Sequence, residues 1–427
     1  MKIAFIVDKF PSLSQTFILN QVTGLLDRGH EVDIYASERG STSKVHPAVE
    51  NYHLCDRTYY LPQIPENLLG RVFKGIGLLL ANGYKDPGCL LKAFNVFKYG
   101  KQTISLWLLY TVIPSFKKSY DIIHCQFGTQ SYRGMSFRNI NTPDAKLITT
   151  FRGDDISRFV REKGTEIYHE LFKTGDFFMV NCDFFRQRAI ALGCEGNKIV
   201  VHRSGLDCSR FPFRPRHLPA DGQIRIATIG RLVEKKGIEY SIRAVAKQVR
   251  VTPNLEYNIL GDGCLRESLQ ELIDHLNVGN FIHLLGWKTE QEIIEIINNS
   301  QIFIAPSVTA KDGNQDAPIN VLKEAMAMGL PVISTYHGGI PELVEDGVSG
   351  FLVPERDADA LAEKLGYLID HPEIWSEMGK AGQACVKAHY DLDKLNDRLV
   401  EIYQQLLATS KGNGQQREQA QLVSPTL

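Results

Sequence analysis

Short apolar runs rich in Val and Ile recur along the chain, separated by longer stretches in which apolar residues return every three or four positions. The runs of the first half are KIAFIVD, HEVDIYAS, DIIHCQF, KLITTF, FFMVNC and KIVVHRSG. Those of the second half are IRIATIG, EYNILGDG, FIHLLGW, IFIAPS, PVISTY and SGFLVP. Near-continuous apolar strands suit a parallel sheet covered on both faces, and their alternation with helical stretches implies βαβ units. Between the two series lies RFPFRPRHLPADGQ, with Pro212, Pro215 and Pro219. Proline at that density opposes both sheet and helix, which predicts an interdomain linker. The expectation is two doubly wound α/β domains facing each other across a cleft, one over 1–208 and one over 220–388. Apolar residues at 392, 395, 399, 402, 403, 406 and 407 have helical spacing. They predict a last helix, about 390–408, that is assigned to the N-terminal domain. The polar remainder, 409–427, reads as a disordered tail.

Composition narrows the picture. The 427 residues are 43% hydrophobic and 23% charged, with a net charge of −1, so no global basic excess points to nucleic acid. The eight cysteines contain no Cys-x-x-Cys pair, which argues against a zinc site and suits reduced thiols in the cytoplasm. The start, MKIAFIVDKF, reads as a first strand; its apolar run is too short for a signal peptide. No run reaches the roughly 18 to 20 apolar residues of a spanning helix. Charge is uneven, however. Residues 1–205 hold 26 Lys+Arg and 19 Asp+Glu, a net of +7. Residues 71–118 alone hold eight basic residues and one acid, also +7, interleaved with Leu, Phe, Trp and the apolar run ISLWLLYTVI at 104–113. This segment is either a solvated face or a surface for anionic lipid, which would make the protein peripheral at the inner face of the cell membrane.

Several signals are absent: a Gly-x-Gly-x-x-Gly after the first strand, a Walker loop, Gly-x-Ser-x-Gly and His-Glu-x-x-His. What is present is a basic βα turn. IRIATIGRLVEKKGIEYSI places Gly230 and Arg231 just after a strand and Lys236 just before a helix. Two cations there, beside helix-start N–H groups, suit a diphosphate, or else form a solvated loop. KDGNQDAPINVLKEAMAMG also follows a strand. Its helix starts near Ile319 or Asn320 and offers unpaired N–H groups to an anion. Glu324, one turn inside, suits the vicinal diol of a ribose, and Asp316, in the loop ahead, suits a second polyol. The plain alternative is a capping Asp and a solvated Glu.

These residues resemble family 4 of the retaining glycosyltransferases, which have the GT-B fold. FPSLSQTFILNQV is similar to the N-terminal loop and helix of its exopolysaccharide branch, including colanic-acid-type enzymes. VVHRSGLDCSRF, GRLVEKKG, ILGDG, FIHLLGW, IAPS and EAMAMGLPVISTYHGGIPELVEDGVSGFLV follow in the family's order. The resemblance implies a sugar transferred from a nucleotide-diphosphate sugar, UDP- or GDP-linked, to a surface polysaccharide or its lipid-linked precursor. Arg231 and Lys236 would hold the diphosphate, Asp316 would contact the transferred sugar, Glu324 the ribose, and backbone near Asn320 and Val321 the phosphates. The resemblance implies no metal or other cofactor, and no nucleophile.

The chain departs from the family pattern in places. Asp316 replaces the usual Glu. FRGDD puts Arg152 where relatives have His, while Asp155 matches the motif's acid. His124 is kept, Gln126 stands for a frequent His, and Gln15 for a frequent Glu. Ser12 and Gln15 have capping-box spacing. With Ser14, Gln15, His124 and Asp155, Arg152 is a candidate for the acceptor side. It suits an acidic sugar or a lipid diphosphate, or else forms a structural salt bridge with Asp154 or Asp155. The departures at 152 and 316 support two other readings: an inactive scaffold relative, or a GT-B sugar-nucleotide epimerase.

Overall fold

In the first half, strands form where apolar residues run uninterrupted. Ile3 to Val7 are all buried in β1 (Lys2–Phe10). β2 (Glu31–Arg39), β3 (Thr58–Tyr60), β4 (Ile122–Cys125), β5 (Lys146–Phe151), β6 (Phe177–Val180) and β7 (Ile199–Val201) complete a seven-stranded parallel sheet in the order β3-β2-β1-β4-β5-β6-β7. The second half repeats the plan. β8 (Ile224–Ile229), β9 (Leu255–Leu260), β10 (Ile282–Gly286), β11 (Ile302–Ala305), β12 (Val332–Thr335) and β13 (Gly350–Val353) form a six-stranded parallel sheet ordered β10-β9-β8-β11-β12-β13. Helices cover both faces, as buried parallel strands require. The computed structural model describes residues 1–12, 15–40, 45–95, 97, 100–115 and 118–411. Most of the tail expected over 409–427 lies outside them, although the last helix continues to Lys411.

Each sheet reverses its strand order once, between β1 and β4 in the first and between β8 and β11 in the second. Crevices at the carboxyl ends of strands open at such points, and the basic turn after β8 and the acidic loop after β11 flank the second one.

The chain passes between the domains twice. Residues 211–223 carry neither strand nor helix, and Arg216 fixes them to the second domain by donating to the carbonyls of Asn298, Ser300 and Met328. The return strand runs alongside. Leu206 N–H donates to Tyr390 O at 2.7 Å and Leu392 N–H to Leu206 O at 3.1 Å. A Cβ on Gly205 would lie 2.8 Å from Leu392 Cα, so only glycine lets the two passes touch. The last helix, Leu392–Lys411, then buries Leu399, Ile402, Tyr403 and Leu406 in the first domain's core with Ile18, Val22 and Leu25.

The insertion between β3 and β4 corrects one expectation. The apolar run 104–113 is mostly internal: Ile104 is exposed, but Leu108, Leu109, Val112 and Ile113 build a small core with Cys89, Ala93 and Ile140, and Tyr110 is also buried. Exposed apolar residues include Leu69, Phe73, Ile76 and Leu80, which form a stripe on the helix Leu68–Asn82, and also Leu91, Phe97 and Ile104. Some of the charge is also spent internally. Lys118 pairs with Asp33 at 2.8 Å, and Arg71 donates to the carbonyls of Pro65 and Ser105. Lys98 and Lys117 lie outside the described residues.

Candidate functional site

A cavity of about 300 Å³ opens between the domains. Its second-domain wall carries Gly230, Arg231, Lys235 and Lys236 after β8, and residues 316–321 after β11. Phe17, Arg152, Asn181 and Ser204 form the opposite wall.

The turn after β8 forms because Gly237, at φ +61°, ends the 3-10 turn Glu234–Lys236 and starts the helix Ile238–Gln248. A Cβ there would lie 1.9 Å from Pro306 O. This packs the turn against the end of β11 and sets both lysines over Asp316. Lys235 Nζ lies 2.8 Å from Oδ1 and Lys236 Nζ 2.7 Å from Oδ2. Ser307 Oγ donates to Oδ2 at 3.3 Å. Burial opposes ionisation of Asp316, and the two ammonium groups outweigh it, holding the carboxyl far below its ordinary range. Burial lowers the Lys236 ammonium, against the pull of Asp316. Lys235 was not singled out from the sequence; adjacent lysines in one turn carry no spacing signal that ranks them.

Asp316 is also gripped from behind. Its N–H donates to His337 Nε2 at 2.9 Å, and His337 Nδ1 lies 2.5 Å from Glu355 Oε1. A backbone N–H can only donate, so Nε2 is the acceptor and the ring proton sits on Nδ1, facing the carboxylate. Glu355 in turn accepts from Thr309 N–H and Oγ1. His337 is fully buried. Sequence reasoning missed it because it follows β12 and meets Asp316 only through the fold.

The helix Asn320–Ala327 begins after extended Ile319, and no side chain caps it. Its first N–H groups therefore remain available at the cavity. Glu324 lies one turn in and does not line the cavity. Burial raises its carboxyl to about 7, with Lys323 pulling the other way. Burial lowers Lys323 to about 7, and its ammonium donates across the domain boundary to Ser204 O at 2.7 Å. The structure thus brings Gly230, Arg231, Lys236, Asp316, Asn320 and Val321 together on one wall.

On the opposite wall, several sequence expectations change. Arg152 makes no salt bridge with Asp154 or Asp155. Asp154 pairs with Arg158 at 2.7 Å, and Asp155 is buried, accepting backbone N–H bonds from Gly128, Arg152 and Gly153 at 2.8, 2.9 and 3.0 Å. Asp155 is therefore a loop-shaping carboxylate, not an acceptor group. His124 is also buried, with Nδ1 2.6 Å from Tyr403 Oη and Nε2 2.6 Å from Thr150 Oγ1. Both ring nitrogens are spent, and burial holds the ring well below its usual range. Ser12 and Gln15 do not form a capping box: the helix Thr16–Asp27 starts after Gln15 with no side-chain cap bond. Gln15 lies by Phe10, Ser12 and His46, away from the cavity. Ser14 lies outside the described residues.

Arg152 itself faces the cavity. Its Nη2 donates to Gln126 Oε1 at 2.5 Å and weakly to Gln21, its Nη1 weakly to Ser204, and its guanidinium lies 4.1 Å from the Phe17 ring centre. Gln126 also donates to Gln21 Oε1 at 3.1 Å. The departures at 126 and 152 are thus one unit, a glutamine that orients an arginine.

Two facing doubly wound domains with a cleft between them define the GT-B fold, and solved structures share it. HepE of Anabaena, crystallised with UDP, superposes with a TM-score of 0.70 over 95% of this chain and all of that one, at 17% identity. Residues 14–210 match Glycosyltransferase Family 4 and residues 209–384 match Glycosyl transferases group 1. The amylovoran biosynthesis glycosyltransferase AmsK of Erwinia amylovora is 34% identical over 413 residues, 95% of this chain and all of AmsK. A Salmonella typhimurium protein assigned to colanic acid biosynthesis as the glycosyltransferase WcaL is 34% identical over 409 residues, again 95% and 100%. The chain belongs to this family of exopolysaccharide-biosynthesis glycosyltransferases.

His337→Phe should lower transfer turnover tenfold or more and lower the melting temperature by a few degrees, while leaving UDP affinity nearly unchanged. The lost partner is that of one buried N–H, worth about 1–3 kcal/mol. His337→Gln, which can still accept from Asp316 and donate to Glu355, should recover part of the rate. Steady-state kinetics beside UDP calorimetry checks this.

Proposed function

We propose that this chain is a retaining glycosyltransferase that moves a sugar from a nucleotide-diphosphate donor to a growing surface polysaccharide or its lipid-linked precursor. The observation that carries this reading is the Lys235–Asp316–Lys236 triad beside an uncapped helix start. In the free enzyme Asp316 occupies the place of an anion between two ammonium groups. An incoming diphosphate takes over those groups, with Arg231 and the helix N–H groups, and releases Asp316 toward the sugar. The same cations stabilise the diphosphate as it leaves. The departing phosphate then assists attack from its own face, so no protein nucleophile is required. Glu324 binds the ribose diol. HepE structures hold UDP and UDP-glucose, which supports a nucleotide-diphosphate sugar as the donor. The cationic site supports the reading that charge on the leaving group is met without a metal.

The scaffold and epimerase readings lose their main support. Asp316 is engaged with both lysines, and Arg152 is held by a built glutamine network.

Membrane attachment is part of this proposal. In the helix Leu68–Asn82, Leu69 and Phe73 are 74% exposed and Leu80 79%, with Leu91 and Tyr84 exposed nearby. Lys74 and Lys92 stand among them, and no helix of the described residues is long and apolar enough to cross a membrane. An apolar stripe with a basic rim fits an anionic lipid surface. A lipid-linked acceptor would be met there.

Glu324→Ala should weaken donor binding about 10- to 100-fold, because a hydrogen bond to a charged group is worth roughly 1.5–3 kcal/mol. Because the Glu324 carboxyl ionises near 7, UDP affinity should rise as pH passes upward through that value, and Glu324→Gln should flatten the profile. An unchanged affinity and profile in calorimetry removes the ribose role.

Turnover should survive EDTA; loss of turnover restored by magnesium or manganese contradicts the charge assignment.

Leu69, Phe73 and Leu80 changed to Ser should abolish co-sedimentation with anionic vesicles. The expected loss is roughly tenfold per residue, since burying such a side chain is worth about 1.5–3 kcal/mol. Equal pelleting of variant and native protein refutes the membrane reading and leaves the transferase untouched.

A further inference from the structure

Arg152 is a cation recessed into a cleft wall without a counter-ion. It makes no ion pair with a carboxylate among the described residues. Its side-chain acceptors are the uncharged Gln126, Gln21 and Ser204, two of them at 3.4 Å, and its buried Nε–H has no partner. The nearest acid in the loop, Asp155, has given its oxygens to three backbone N–H groups. Burial accordingly lowers the guanidinium to about 9, with Asp155 opposing only in part. Recessed charges are ordinarily paired, because removing a charge from water is costly. Here the fold withholds the partner and still orients the charge, through the Gln126–Gln21 pair and the Phe17 ring.

The same cavity has a second cationic centre on the facing wall, where Lys235 and Lys236 share the one carboxylate of Asp316 and are assigned above to the donor diphosphate. On that assignment Arg152 answers to a different anion. We infer that the substrate carries a second anionic group beside the transferred sugar, a carboxylate or a phosphate, and that Arg152 is its counter-ion. A guanidinium lining the cavity suits the paired oxygens of either group. Two sources share this chemistry: an acidic sugar residue in the polysaccharide, and the diphosphate of a lipid-linked acceptor. The inference rests on the proposed reading that the lysine wall holds the donor diphosphate.

The test titrates three probes into the full chain, with and without saturating UDP: methyl β-glucuronide, methyl β-glucoside and farnesyl diphosphate. One anionic probe should bind at least tenfold more tightly than the neutral glucoside. Preference for the glucuronide indicates an acidic sugar, and preference for farnesyl diphosphate, in the presence of UDP, indicates a lipid-linked acceptor. Arg152→Gln should remove that preference and leave the UDP dissociation constant and melting temperature unchanged. Arg152→Lys, which keeps the charge and loses the fork, should restore only part of it. Equal binding of neutral and anionic probes, or of none, overturns the inference. So does a parallel loss of UDP affinity in Arg152→Gln, since Arg152 would then belong to the donor's diphosphate. Failure of UDP to bind the native protein strikes the donor reading instead, and the contrast between probes in the free protein still decides this one.

Discussion

Asp316, held between the ammonium groups of Lys235 and Lys236, is the interaction on which the site depends. Two cations on one turn repel each other, and burial makes that repulsion harder to screen. One carboxylate from the neighbouring loop resolves the conflict and welds the turn after β8 to the loop after β11. Breaking such a buried pair by removing one partner costs about 3–5 kcal/mol. On the proposed reading, an anionic ligand would avoid that cost by replacing the carboxylate as it frees it. Until then the carboxylate keeps both ammonium groups in place.

The rest of the cleft surrounds that ion triad. The His337–Glu355 pair fixes the main chain of Asp316 from the far side. Across the boundary, Lys323 reaches Ser204 O, Asn314 donates to Asp154, Arg188 to Gln315, and Glu342 accepts the N–H groups of Asp183 and Phe184. These contacts are polar. The two passes of the chain at Leu206 and Leu392 are hydrogen-bonded to each other at the domain boundary.

Much of the fold was legible because parallel strands buried on both faces leave continuous apolar runs. The edge strand Thr58–Tyr60 was not, since Thr-Tyr-Tyr lacks the aliphatic run that marks the equally short Ile199–Val201. In the site, the helix start near Asn320 and the cations after β8 were readable from local order alone. What failed depended on burial. The run 104–113 looked like a surface element because its charged neighbours flank it, and the fold buried most of it instead. The Leu68–Asn82 helix, also rich in apolar residues, was left largely outside. His124 and Asp155 have the residue types of chemistry and the hydrogen bonds of structure. Lys235, His337 and the Gln126–Arg152 unit become visible only when distant strands meet.

A structure with a nucleotide-diphosphate sugar bound tests the central claim most directly. The account predicts phosphate oxygens within hydrogen-bond distance of both lysine ammonium groups, at the start of the helix Asn320–Ala327, with Asp316 turned toward the sugar. A diphosphate seated elsewhere while Asp316 still bridges Lys235 and Lys236 would contradict it.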